Sequence, residues 1–232
     1  MVSFRVLLLN LVAPIVTSLK VTITRADSYF YESWKMSELI LFLEHSRCNL
    51  TALTIEGIKT TSDALKSLLK LVPTVVHFTL LENESSTYTP YLGGYSASYG
   101  YYSSDDDGDW VVSTTSPCSV SGVDDDLLRS MSVTSDHSEL LLPRLERLIL
   151  SVHGDAFQDS ALVEMIASRR RQSTSAAGTM LGSLQLKLTR REVSEDFVAQ
   201  ILEMRKKGLR VSVTDLKGCR TDQELIKLIE EV

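Results

Sequence analysis

One spacing of apolar residues returns along the chain: an apolar position, two others, a second apolar position, one other, and a third. It reads Val16-Leu19-Val21, Leu50-Leu53-Ile55, Val75-Phe78-Leu80, Leu145-Leu148-Leu150 and Leu181-Leu184-Leu186, with a shortened Leu209-Val211-Val213 near the end. Apolar residues two apart are the mark of a strand with one buried face. Between the copies the period lengthens to that of a helix. Ser37 is placed to cap a helix that buries Leu39, Ile40, Phe42 and Leu43 and reaches about Cys48. Ser62 is placed to cap a second, with Leu65, Leu68 and Leu69, stopped by Pro73. Asp159 opens a third through Leu162, Val163 and Ile166, and Phe197, Ile201 and Met204 mark a fourth that ends at Gly208, a fitting C′ residue. A last helix is expected from Thr221 to about Glu231, opened by the capping box of Thr221 and Glu224.

The first five copies start 34, 25, 70 and 36 positions apart, and removing a loop of about 45 residues from the third interval restores a solenoid-like period. The expected fold is therefore α/β: a leucine-rich-repeat-like solenoid of strand-helix units with a parallel sheet, interrupted by a long disordered insertion. One unit cannot bury its apolar face alone, and its neighbours do so jointly. The units fall in residues 1–82 and 141–232, forming one solenoid. Residues 83–140 form the insertion, rich in Ser, Tyr and Asp.

Alternation divides each strand into two faces. Leu53 and Ile55, Phe78 and Leu80, and Leu148 and Leu150 are expected to point inward beneath the helices. Lys20, Thr22, Thr54, Glu56, His77, Thr79, Arg147, Ile149, Gln185, Lys187, Arg210 and Ser212 are expected on the opposite face. Stacked side by side they would make a mixed, mildly basic concave surface of the kind solenoids offer to partners. The candidate partner-binding residues are Thr22, Glu56, His77, Thr79, Arg147, Ile149, Gln185, Lys187, Arg210 and Ser212.

Composition narrows the class. At 44% hydrophobic and 23% charged, 232 residues can enclose a core, which excludes a wholly disordered chain. Three cysteines (Cys48, Cys118 and Cys219) are too few and too odd in number for a disulfide framework, so a reduced compartment, cytoplasmic or nuclear, is expected. Residues 83–140 hold ten acidic side chains against Arg129, a balance of −9; with −6 for the whole chain, the remainder carries +3. That balance excludes a nucleic-acid footprint. No apolar run is long enough for a membrane span.

The first residues, MVSFRVLLLNLVAPIVTSLKV, admit two readings. Arg5 followed by an apolar run and Val16-Thr17-Ser18 resembles a cleaved secretory segment. Leu7, Leu8, Leu11 and Val12 also have the spacing of a buried helix ended by Pro14.

No catalytic chemistry is expected. His45, His77, His137 and His153 fall on different elements, and no CxxC accompanies them, so neither metal nor cofactor is implied. Gly94-Tyr95-Ser96-Ala97-Ser98 lacks the second Gly of a nucleophile elbow, and Asp105-Asp106-Asp107-Gly108-Asp109 has its Gly at the wrong place for a calcium loop. Ser103 and Ser104, just before that acidic run, are candidate phosphate acceptors. Arg169, Arg170 and Arg171 sit where cations offset a helix dipole from the solvated side.

Leu142-Pro143 before a strand, then Phe157 and Asp159 opening a helix, Val163-Glu164-Met165, and Ser168-Arg169 closing it, resemble the C-terminal repeat region of the large fungal F-box protein family. FLEHSRCNLTALTIEGI (residues 42–58), LLKLVPTVVHFTL (68–80) and GLRVSV (208–213) are similar to neighbouring repeats of that family. The resemblance implies a non-enzymatic substrate-recognition solenoid of a ubiquitin ligase. Arg170 stands where the family often has an aromatic, and no Leu-Pro-x-Glu-Ile-Leu-type F-box occurs in the chain. A Skp-type adaptor is therefore expected as a partner only if an F-box is restored, and the chain reads as truncated or uncoupled from the ligase. The alternative is a secreted or surface-associated binding protein whose N-terminal segment is cleaved.

Leu148 sits at the centre of this pattern. Its replacement by Ala is expected to lower the unfolding free energy by about 2–5 kcal/mol in a urea titration, the usual result of emptying a core leucine site.

Overall fold

In the computed structural model of the chain, the described residues are 11–22, 36–58, 60–82, 122–133, 140–153, 157–171, 180–189 and 194–215. The chain divides into two units, one of Met1–Asn83 with Val120–Val232 and one of Glu84–Ser119, and all described residues belong to the first. Its elements alternate: β1 (Ser18–Thr22), α1 (Met36–Ser46), β2 (Ala52–Glu56), α2 (Ser62–Lys70), β3 (His77–Leu81), α3 (Asp125–Ser130), β4 (Arg147–His153), α4 (Asp159–Arg171), β5 (Ser183–Thr189), α5 (Glu195–Lys206) and β6 (Arg210–Asp215). The six strands form one sheet in the order β1-β2-β3-β4-β5-β6, every pair parallel.

The register aligns the apolar copies. Leu19, Leu53, Phe78, Leu148, Leu184 and Val211 form one row across the strands, and Val21, Ile55, Leu80, Leu150, Leu186 and Val213 the next. In the four inner strands these side chains are buried, joined in a single core by Leu39 and Phe42 of α1, Leu65 and Leu68 of α2, Leu127 and Leu128 of α3, Leu162 and Met165 of α4, and Phe197 and Ile201 of α5. Consecutive helices pack on one another in the same order as the strands. In the edge strands Leu19, Val21, Val211 and Val213 are only partly buried, and among the described residues each of these strands has a neighbouring strand on one side alone.

Each strand also starts on the same hydrogen bonds. The carbonyl of Thr17, just before β1, accepts from the amides of Thr51 and Ala52. Thr51 O then serves Val76 and His77, Val76 O serves Glu146 and Arg147, Glu146 O serves Gly182 and Ser183, and Gly182 O accepts from Arg210. Three units enter this step through a Pro turn. Val16 donates to Ala13 O across Pro14, Val75 to Val72 O across Pro73, and Leu145 to Leu142 O across Pro143, with Pro at the second turn position where its fixed φ fits. Ile15, 90% exposed, thus occupies the turn position that Thr74 and Arg144 fill in the other two units.

Helix N-termini are linked across units. Thr61 caps α2 by accepting from Ala64 N, and Ser62 Oγ reaches on to donate to Asp124 Oδ1 at 2.6 Å. That same oxygen caps α3 by accepting from Leu127 N at 2.8 Å. Asp125 Oδ1 accepts from Gln158 N, ahead of α4, and Asp159 Oδ2 accepts from Ser194 Oγ, the cap of α5. Carboxylates at these ends also complement the helix dipoles.

Several expectations are corrected. Thr61, not Ser62, is the cap of α2, since Ser62 already has a helical place and uses its hydroxyl sideways. Ser37 lies inside α1, which starts at Met36 and ends at Ser46, short of Cys48. Leu11 and Val12 are exposed and non-helical, against the buried-helix reading of the first residues. Residues 122–133, placed by composition in the 83–140 insertion, form a unit of the stack: Val123, Leu127, Leu128 and Met131 are buried in the common core. Gly208 holds the C′ position of α5 with φ +91°, as expected. The expected helix from Thr221, and Ser103 and Ser104, lie outside the described residues.

The largest correction concerns Arg169, which is 2% exposed rather than solvated. Its guanidinium donates through Nε to Met131 O at 2.7 Å and through the two terminal nitrogens to Leu142 O at 2.9 Å and Leu141 O at 2.6 Å. Ser168 Oγ accepts from Val133 N and donates to Met165 O. The end of α4 thereby clamps the exit of α3 to the turn before β4, where Leu142 holds an uncommon φ of +50° for a residue with a Cβ. Arg170 works in the other direction, donating to Leu181 O ahead of β5 and to Lys207 O after α5.

Burial pushes the Arg169 guanidinium down to about 10, so it remains a cation at neutral pH. Removing it leaves three backbone carbonyls without their donor. Arg169→Ala is expected to cost about 3–5 kcal/mol in chemical denaturation, and Arg169→Lys to recover less than half, because an ammonium cannot reproduce the planar fork.

Candidate functional site

The sheet face turned away from the helices carries three rows. Ser18, Ala52, His77, Arg147, Ser183 and Arg210 form the first; Lys20, Thr54, Thr79, Ile149, Gln185 and Ser212 the second; Thr22, Glu56, Leu81, Ser151, Lys187 and Thr214 the third. All ten candidate residues fall in these rows, and each is exposed or half-buried. They occupy every strand of the sheet: Thr22 on β1, Glu56 on β2, His77 and Thr79 on β3, Arg147 and Ile149 on β4, Gln185 and Lys187 on β5, Arg210 and Ser212 on β6. Leu81, Ser151 and Thr214 complete the third row and escaped sequence reasoning. The same alternation, continued by two residues, would have found them. Of these, Ser151 is buried and so belongs to the structure more than to the surface.

Charge is unevenly spread over the face. At the β1-β2 end Lys20 Nζ lies 3.0 Å from Glu56 Oε2, and Thr22 Oγ1 donates to that oxygen at 3.2 Å. The hydrogen bond from Lys20 is the main cause holding the Glu56 carboxyl below the usual range, opposed by slight desolvation. Glu56 is the only carboxylate in the three rows, and it is already spent on its neighbours. At the β4-β6 end Arg147, Lys187 and Arg210 bring three cations. The Arg147 and Arg210 backbones flank Ser183, roughly 10 Å apart at ordinary strand spacing. Two charges at that distance repel by only about 0.4 kcal/mol in water, so the fold tolerates them without an intervening anion.

Among the described residues, no group of three or more His, Cys, Asp or Glu side chains converges as metal ligands would. His77 has Arg147 and Ala52 as its row neighbours, not a nucleophile or a carboxylate. Cys48, buried beside the core, has its thiol pushed up by desolvation, the reverse of what a reactive thiol requires. Among the described residues, no helix is long and apolar enough to cross a membrane. The arrangement can offer hydroxyls, an amide and cations to an extended surface.

The Lys20–Glu56 contact has a testable pH signature. Because the folded-state value is lowered, its contribution is present above the ordinary glutamate range and is lost as pH falls through the folded value. An NMR titration is expected to place the Glu56 midpoint below that of an exposed glutamate. Glu56→Gln is expected to change stability by less than about 1 kcal/mol, as for other exposed pairs.

No family model, no curated protein and no solved structure matches the chain.

Proposed function

We propose that this chain is a non-enzymatic protein-interaction scaffold, a leucine-rich-repeat-like solenoid whose exposed sheet face docks a partner protein. One observation carries the reading: six parallel strands in register present three unbroken rows of mostly polar side chains, all but Ser151 exposed or half-buried. Stacked units that bury one strand face leave the other for recognition, and curvature of such a stack would make that face concave. The reading also draws on the likeness of Leu142-Pro143, Phe157, Asp159, Val163-Glu164-Met165 and Ser168-Arg169 to fungal F-box repeats.

On this reading the chain resembles the substrate-recognition region of an F-box ubiquitin-ligase subunit, acting in the cytoplasm or nucleus. Coupling to a Skp-type adaptor would need an F-box, which this sequence lacks. Catalysis has no place in the reading, because the face gathers no acid, base and nucleophile within reach of one another.

The test places a photo-crosslinking residue at Thr79 or Ile149, in the middle row, and for comparison at Asp63, an exposed position on α2. Irradiation in an extract of the native host is expected to give a discrete adduct from the first two positions and none from the third. Equal labelling at all three would sink the docking reading.

A further inference from the structure

The β4-β6 end of the face differs from the rest in a way that specifies chemistry. Arg147 and Arg210 stand in one row with Ser183 between them, and Lys187 lies four residues along β5 from Ser183, roughly 13 Å by strand rise. Among the described residues, no hydrogen bond or ion pair engages either guanidinium, although their backbone amides are held by Val76 O and Gly182 O. Glu56, the only carboxylate in the three rows, lies on β2, two strands from Arg147 and four from Arg210, and is held by Lys20 and Thr22. Gln185, whose amide can donate, lies two residues along β5 from Ser183, and half-buried Ile149, two residues along β4 from Arg147, offers an apolar contact.

We propose that this end of the sheet binds an acidic, extended peptide segment of a partner, with carboxylates at Arg147 and Arg210 and an apolar side chain against Ile149. The proposal rests on the docking reading above and names the partner class for it. Guanidinium forks match carboxylates in two-point geometry, and the hydroxyls of Ser183 and Ser212 beside them add donors. A nucleic acid fits less well. The three rows hold no Phe, Tyr or Trp on which a base would stack, and three cations on a chain of net charge −6 are a small footprint for a phosphate backbone.

The experiment uses the full chain and a fluorescein-labelled ten-residue probe of sequence Asp-Glu-Leu-Asp-Glu repeated twice, followed by anisotropy at low salt. A probe with Asn and Gln in place of the acids, and a labelled single-stranded DNA of equal charge, run beside it. The acidic probe is expected to bind, with affinity falling as salt rises, and the amide probe to bind at least tenfold more weakly. Arg147→Glu with Arg210→Glu is expected to weaken the acidic probe at least tenfold. Arg205→Glu with Lys207→Glu, the same charge change on and after α5, is expected to weaken it less than twofold.

Should the glutamate pair disturb folding by circular dichroism, Arg147→Gln with Arg210→Gln is the substitute, expected to weaken binding at least fivefold. No binding of the acidic probe, equal loss in the two charge-reversal pairs, or DNA binding as tight as the peptide would overturn the proposal. If the Thr79 adduct persists while the acidic probe fails, the face still docks a partner and only the acidic class is wrong. If both fail, the docking reading falls as well.

Discussion

A strand backed by one helix cannot keep its apolar side dry, and the architecture of this protein follows from that limit. Leu53 and Ile55 are enclosed because Leu19 and Val21 lie on one side, Phe78 and Leu80 on the other, and α1 and α2 above. The requirement repeats at every strand, which forces a constant register, and the shared carbonyls of Thr17, Thr51, Val76, Glu146 and Gly182 provide it. At β1 and β6, the edge strands among the described residues, the enclosure is partial.

Polar groups do their structural work on the helix side of the sheet. Asp124, Asp125, Asp159 and Ser194 connect helix starts, while Ser168, Arg169 and Arg170 connect helix ends to adjacent turns. A buried cation such as Arg169 is costly to desolvate, but three carbonyls that would otherwise lack donors compensate it. On the opposite face Lys20, Thr22 and Glu56 are tied to one another across β1 and β2, and Ser151 is buried.

The strands were legible because the spacing of three apolar residues returns in each, reinforced in three units by a Pro just ahead. Both faces followed from alternation, so the candidate residues from Thr22 to Ser212 share one side of the sheet. What the sequence obscured has physical causes. Thr61 and Ser62 are both competent caps, and only the third dimension shows that Ser62 serves the next helix. Helix α3 has six residues within acidic, Ser-rich surroundings, too short for its period to show, so composition outweighed Val123, Leu127, Leu128 and Met131. Arg169 looks like its neighbours Arg170 and Arg171, because nothing local distinguishes a cation that turns back into the protein from one that faces water. The charge asymmetry of the sheet face was hidden for a similar reason. Glu56 and Lys20 are 36 positions apart and meet only through strand pairing.

The connection between β3 and α3 shows how little this kind of assembly depends on what joins its parts. Glu82 Oε1 accepts from Gly122 N at 2.8 Å, so the two points where the chain leaves and rejoins the stack are stitched to each other. Gly122 is the residue that permits it, since a Cβ there would strike the Thr60 methyl. For a flexible connection held at its ends in this way, doubling the length would add only about 0.6 kcal/mol of closure entropy. A change of length there would then reach the frame chiefly through that small term, a ready berth for novelty beside a frame that stays the same.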